Sequence, residues 1–303
     1  MIKRPRPKRF RLRRTMMFLS AQRPGLIIDP VIYGADSLIL DLEDAVSENQ
    51  KDAARFSLYH ALTTIDYGQT EVIVRINGLD TPHWREDVRV CVAGGADGIR
   101  IAKCESKQDV LMVEEAVEKA EKEFNLPKGR TLLMAALENP LGILNAYEIC
   151  TASTRLFGIA ISGGDLRKSL QVSPVPGGIE ILAARGQVLL AARAAGVQCF
   201  DTVFTDLNDM DGFREEVIQN KQMGFDGKSL INPKQIKIVH DIFAPTQKEI
   251  EDAEKILRAV RENAEKGVGV FTVDGKMIDI AFLPGAERTI AMAKACGIYE
   301  GVL

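Results

Sequence analysis

Three carboxylates stand within four positions at Asp41-Leu42-Glu43-Asp44, at the end of an apolar run. The same arrangement, an apolar run ending in a side chain able to do chemistry, returns several times. It is seen at Arg75-Ile76-Asn77, Lys103, Glu138-Asn139-Pro140, Ser162-Gly163-Gly164-Asp165 and Lys228, the last followed by Asn232-Pro233. Carboxylates so placed can hold a hard cation through oxygen or move protons. Arginine and lysine can bind an anionic substrate or a developing oxyanion. Taken singly, each also has a structural explanation as an N-cap, a surface lysine or a helix-starting Asn-Pro. His60, His83 and His240 are isolated and lack H-E-x-x-H spacing. Oxygen donors without His or Cys nearby suit Mg²⁺ before Zn²⁺.

A regular alternation positions these residues. Short apolar runs at 15–19, 37–41, 72–76, 98–102, 132–137, 156–161, 199–204 and 227–231 are separated by helix-like stretches. One of these, 109–124, puts Val110, Val113, Ala116, Val117 and Ala120 on one face. Another, 178–195, is dense in Ala, Leu and Arg. Eight β–α alternations predict an α/β fold of the (β/α)8 TIM barrel type, whose strands are buried on both faces. A doubly wound open sheet would alternate in the same way, and the barrel is the preferred reading. Barrel active sites lie at the C-terminal ends of the strands, so the polar residues above would share one rim. A ring of both signs there is costly unless it binds something. Glu138 and Asp165 would end neighbouring strands and are the candidate Mg²⁺ ligands.

After the eighth run the pattern changes. Thr246-Gln247-Lys248-Glu249 is a capping box that opens a charged helix running to about residue 266. Asp274-Gly275 is a tight turn between two apolar runs, and a last helix covers about 286–295. The expected organisation is a barrel over 1–243, with a basic N-terminal arm, and a helix–hairpin–helix extension over 244–303. That extension reads as an appendix, not an independent domain.

The 303 residues are 46% hydrophobic and 27% charged with a net charge of −3, which indicates neither nucleic-acid nor membrane binding. No apolar run has bilayer-spanning length, and no secretory signal is expected. Cys91, Cys104, Cys150, Cys199 and Cys296 are scattered and read as reduced, mostly buried thiols of a cytoplasmic protein. The first fourteen residues carry eight Lys or Arg and no acid. They read as a solvated arm, with a nucleic-acid arm or an organelle presequence as the alternative. There is no G-x-S-x-G elbow and no Walker A sequence, and the glycines at 94–98 precede a strand instead of following one. A Schiff-base aldolase would use Lys103 or Lys228, but the paired acids favour the metal route.

Asp41-Leu-Glu-Asp-Ala-Val46, Val74-Arg-Ile-Asn77, Gly94-Gly-Ala-Asp97, Glu138-Asn-Pro-Leu-Gly142 and Gly224-Phe-Asp-Gly-Lys-Ser-Leu-Ile-Asn-Pro-Lys-Gln-Ile236 occur in this order. Together they resemble the citrate lyase β-subunit family, within the malyl-CoA lyase and HpcH/HpaI aldolase superfamily. The resemblance runs from about Arg14 to near the C-terminus. Tyr59-His-Ala-Leu62, Phe200-Asp-Thr-Val203 and Ala244-Pro-Thr-Gln-Lys-Glu249 point to the citrate branch.

The resemblance implies cleavage of a citryl thioester on an acyl carrier protein into oxaloacetate and an acetyl thioester. It implies carrier and transferase subunits as partners, and a homo-oligomer, trimer or hexamer. It makes Glu138 and Asp165 the Mg²⁺ ligands, with Glu138 also against substrate, and Arg75 and Arg14 substrate-binding. Glu43 and Asp44 would hold metal-bound waters, and Asp279 would be an acid carried by the tail, as a lid, into a neighbouring subunit's site. Arg75, Glu43, Asp44 and Asp279 are thus the expected catalytic residues. A stand-alone malyl-, citramalyl- or citryl-CoA lyase is the rival reading, and a non-catalytic scaffold a third. Retention of Arg75, Glu138 and Asp165 argues against the scaffold. Two departures stand out. The chain reads Phe18-Leu-Ser-Ala21 where the family has Phe-Val-Pro-Gly, which leaves the acyl carrier open. Met277-Ile-Asp-Ile-Ala281 lacks the family's proline after the acid, so Asp279 ending a hairpin strand is its structural alternative.

Overall fold

Eight parallel strands close on themselves, with the eighth paired to the first. They are β1 (Thr15–Ser20), β2 (Ser37–Asp41), β3 (Glu71–Arg75), β4 (Gly98–Ile101), β5 (Leu132–Leu137), β6 (Leu156–Ile161), β7 (Gln198–Asp201) and β8 (Gly227–Leu230). The structure is a computed structural model describing residues 7–9, 11–265 and 269–302. Each apolar run of the sequence is a strand, and the expected (β/α)8 barrel is the observed fold.

The strands β2, β5 and β6 are buried along their whole length, as strands between an interior and a helical layer must be. Met16, Ile39, Ile73, Leu132, Met134, Phe157, Ala160 and Phe200 form one apolar cluster. Ile39 and Ile73 are Cα partners across β2 and β3. Two residues further along, the period-two alternation brings Asp41, Arg75 and Arg100 into a single row across β2, β3 and β4. Local signals fix the helices between. The helix Lys107–Glu123 starts at a capping box, in which Ser106 Oγ accepts from Asp109 N and the Asp109 carboxylate accepts from Ser106 N at 2.9 Å.

The residues before β1 are not a solvated arm throughout. Arg13 is fully buried, donating from Nε and Nη2 to Glu71 at 2.7 Å each, with its guanidinium 3.9 Å from the Phe157 ring centre. A guanidinium can enter the barrel's N-terminal mouth because a buried carboxylate waits there to form a two-pronged ion pair.

By contact the chain divides into two compact units, Met1–Val239 and His240–Leu303. In the second, the helices Gln247–Glu265 and Leu283–Ala295 pack Ile250, Ala253 and Leu257 against Ala286, Ile290 and Ala293. The tail therefore has a core of its own, because two amphipathic helices can bury each other's apolar stripes. Thr246 and Glu249 form the expected capping box. The hairpin β9 (Val270–Val273) and β10 (Lys276–Asp279) turns at Asp274 and Gly275, with φ of 48° and 78°. Two successive positive φ values are what a two-residue I′ turn requires. All five cysteines are free and four are buried. Among the described residues, no helix is long and apolar enough to cross a membrane.

Candidate active site

The polar row caps the barrel's core where the strands end. Arg75 donates from Nε to Asp41 Oδ1 at 2.7 Å and from Nη2 to Oδ2 at 2.6 Å. Burial opposes ionisation of Asp41, but the guanidinium and the N–H groups of Glu43 and Ala45 hold its carboxyl below the usual range. Burial opposes the charge of Arg75 as well, and Asp41 and Glu43 hold its pKa above that of an ordinary arginine. Arg75 Nη1 lies 2.9 Å from Glu43 and 3.7 Å from Asp44. Lys103 Nζ lies 2.7 Å from Glu43 and 3.7 Å from Asp44. Lys103 has a left-handed backbone, φ 49°, an uncommon conformation for a residue with a side chain and one that gathers at functional sites. Burial pushes the Glu43 carboxyl up against the pull of Arg75 and Lys103.

Glu138 follows β5 and is 1% exposed, yet among the described residues neither of its carboxylate oxygens has a hydrogen-bond partner. Burial, and then the charge of Glu43, push its carboxyl up to about 7. Asp165 sits in the first turn of the helix Gly163–Leu170, directly after β6. Both acids line two adjoining cavities of about 450 and 660 Å³. Phe18, Asp41, Asp44, Arg75 and Arg100 line the first, and Lys103, Asn139 and Lys168 the second.

This donor set can be tested against a metal. Among the described residues, no group of three or more His, Cys, Asp or Glu side chains is arranged to hold an ion. Zinc and calcium usually take more protein ligands than two, whereas Mg²⁺ is content with one or two carboxylates and fills its octahedron with water and substrate oxygens. A buried carboxylate with both oxygens unpartnered is a donor without its cation. Glu138 and Asp165 fit Mg²⁺.

Two expectations, for Arg14 and Lys228, need correction. Arg14 is not at this rim. It precedes β1, at the N-terminal end of the barrel, and its Nε and Nη2 donate to Asp36 at 2.9 and 3.0 Å. In a parallel barrel a residue ahead of a strand lies a strand's length from the active face. Lys228, expected at a strand end, is the second residue of β8 and fully buried. Its ammonium donates to Asp201 at 2.9 Å and Glu216 at 2.6 Å, so it offers no free amine for a Schiff base. The Nε–Nη2 edge of Arg75 is occupied by Asp41 and its Nη1 lies against Glu43, so the guanidinium is held from both sides. Asp279 ends β10 in the second unit, where its carboxylate accepts from Ala281 N at 2.8 Å and caps the turn Ile280–Phe282. Several lining residues escaped the sequence reading, Lys168 and Arg100 among them. Arg100 stands inside the otherwise apolar run at 98–102, and that lone charge was the signal available for it.

The family model described as HpcH/HpaI aldolase/citrate lyase matches residues 14–233, which include every residue of this rim. The chain belongs to that family. A second model, a C–C bond lyase of the TIM-barrel fold, matches residues 180–298 and so takes in Asp279. Among relatives within the HpcH/HpaI aldolase/citrate lyase family, the citrate lyase subunit beta of Leuconostoc mesenteroides subsp. cremoris is 48% identical over 94% of each chain. That of Escherichia coli K12 is 43% identical over 97% of each. A crystal structure of protein CitE from Mycobacterium tuberculosis with magnesium, acetoacetate and coenzyme A superimposes with a TM-score of 0.75 at 29% identity. It covers 93% of this chain and 98% of that one.

Proposed function

We propose that this chain is a Mg²⁺-dependent carbon–carbon lyase that cleaves a citryl thioester to oxaloacetate and an acetyl thioester, as the β subunit of a citrate lyase. The observation that carries the reading is Glu138, a buried carboxylate with no partner on either oxygen, lining one cavity with Asp165 and two guanidinium groups. The names of the bacterial relatives and the magnesium in the mycobacterial structure support it.

Glu138 and Asp165 would hold Mg²⁺, which when bound would supply Lewis acidity toward the substrate hydroxyl. Asp41 and Glu43 clamp Arg75, so that its charge stands fixed beside the oxygen on which charge develops, with little reorganisation during reaction. Glu43 and Asp44, steadied by Lys103, position water at the edge of the metal site. As the hydroxyl loses its proton, the bond from its carbon to the carbon beside the thioester breaks. The bonding pair becomes the enolate, which takes up a proton to give the acetyl thioester. In a homo-oligomer, the Asp279 carboxylate of a neighbouring copy accepts the hydroxyl proton and then, as the acid, returns it to the enolate carbon. The exposed Val270, Met277, Ile280 and Phe282 around it support that assignment, because such a surface gains by being covered. The setting is cytoplasmic, with acyl carrier and transferase subunits as partners.

The test is a panel of citryl, citramalyl and malyl thioesters, on coenzyme A and on an acyl carrier protein, scored by the keto acid released. Oxaloacetate from the carrier-bound citryl thioester, with free citrate inert, is the expected result. Full activity of the lone protein on malyl- or citramalyl-CoA would replace this reading with that of a stand-alone lyase. Glu138→Gln and Asp165→Asn should each abolish Mg²⁺ binding with the fold retained. Unchanged affinity in both, by calorimetry, sinks the metal assignment.

A further inference from the structure

Apart from Arg100, the buried arginines of the barrel have their guanidinium groups met by carboxylates or carbonyls. Arg13 meets Glu71 at 2.7 Å, Arg55 meets Asp87 at 2.9 Å, and Arg155 and Arg185 meet Glu121 and Asp201 at 2.8 Å each. Arg130 donates to the carbonyls of Ala96 and Gly95. Arg100 breaks the pattern. It is 1% exposed, and among the described residues its guanidinium makes one hydrogen bond, from Nη2 to Ser162 Oγ at 3.0 Å, while its Nε and Nη1 have no hydrogen-bond partner. It stands beside Arg75 in register, and both guanidinium carbons lie 5.1 Å from the centre of the Phe18 ring. Both line the same 450 Å³ cavity. Asp41 and Glu43 form ion pairs with Arg75, whereas among the described residues none forms with Arg100, which feels the charges of Glu138, Asp41 and Glu43 without a hydrogen bond to any of them. The Nε and Nη1 groups of Arg100 are therefore buried donors held at a fixed place on the cavity wall, with no acceptor among the described residues. Buried donors without acceptors are unfavourable, so the acceptor belongs to what the cavity binds.

We propose that Arg100 is the subsite for a second carboxylate on the keto-acid half of the substrate. Arg100 then sets the preference for a thioester whose carbinol carbon bears a carboxymethyl arm over one bearing a methyl group. This rests on the lyase reading above and deepens it. A citryl thioester places its carboxymethyl carboxylate against Arg100, whereas a citramalyl thioester would cover an unpaired guanidinium with a methyl group. A site built to pair a polar group rejects the analogue lacking it far more strongly than an apolar pocket rejects an extra methylene.

The experiment compares wild type, Arg100→Met and Arg100→Lys. The first measurement is kcat/KM on citryl and citramalyl thioesters, and the second is calorimetric binding of oxaloacetate and of pyruvate to the Mg²⁺-loaded protein. In Arg100→Met, citryl cleavage should fall at least about 100-fold and citramalyl cleavage no more than about 10-fold. Oxaloacetate binding should weaken while pyruvate binding holds. Arg100→Lys, which keeps the charge, should retain most of the preference, and it serves alone if the methionine variant does not fold. Equal losses on both substrates, or oxaloacetate and pyruvate binding that change together, overturn the subsite. If wild type cleaves neither thioester, the lyase reading fails by itself. The oxaloacetate-against-pyruvate comparison then still decides whether Arg100 holds a second carboxylate.

Discussion

Arg75 and Glu138 show how a neighbourhood changes what a residue type can do. Arg75 is gripped along one edge by Asp41, so its planarity serves orientation as much as charge. Arg75→Lys should therefore be nearly as damaging as Arg75→Ala, at about 2 to 5 kcal/mol of transition-state stabilisation. Near-native kinetics of the lysine variant would make Arg75 structural. Glu138 carries a pH dependence whose sign is definite. Its carboxyl titrates at about 7 in the fold and near 4.5 when exposed. Between those values the metal-free fold keeps a proton that the unfolded chain releases, so stability falls as pH rises through that window and then levels. At pH 8 in chelator, Glu138→Gln should be more stable than wild type by up to about 3 kcal/mol, and at pH 4 the gain should vanish. Denaturant unfolding at both values checks this, and an equal difference at both would refute it. Mg²⁺ competes with that same proton, so its affinity should weaken below about pH 7.

At the scale of elements, the closure of β8 on β1 is sharply constrained. A Cβ on Gly227 would collide with the backbone carbonyls of Arg13 and Arg14, the residues that lead into β1. Backbone cannot step aside as a side chain can. Gly227→Ala should cost about 1 to 3 kcal/mol or more in denaturant unfolding. Gly186, within the helix Leu182–Ala195, has nothing within 4 Å of where an alanine methyl would stand, so Gly186→Ala should stabilise by about 0.5 to 1 kcal/mol. Opposite signs at two glycines of one barrel separate close approach from mere chain flexibility. If both were neutral, the barrel would have more slack at its seam than its packing indicates.

For the whole molecule, the open matter is whether one site draws on two chains. Removing residues 268–303 should lower turnover while leaving Mg²⁺ binding by Glu138 and Asp165 intact. Mixing Glu138→Gln protein with Asp279→Ala protein, each inactive alone, should restore part of the activity through hybrid sites. Subunits that demonstrably exchange without any recovery of activity would rule out a shared site, and Asp279 would then be only the cap of Ile280–Phe282.

The sequence by itself determined the parts that depend on local order. Alternating apolar runs specified eight strands, and consecutive strands of a barrel are neighbours, so Glu138 and Asp165 could be paired without coordinates. The capping boxes and the Asp274-Gly275 turn were equally legible, because their hydrogen bonds close within a few residues. Only the tertiary structure decided which charges meet. Arg13 and Arg14 are adjacent in sequence to the first strand, yet they close the far mouth, because strand direction assigns the ends of the barrel. Lys228 and Arg100 both sit within apolar runs, but one faces the helical layer and is paired, while the other faces the interior and is not. With a side-chain period of two, a one-residue shift in where a strand begins exchanges those faces. That register is set by closure of the whole barrel, which no local stretch of sequence contains.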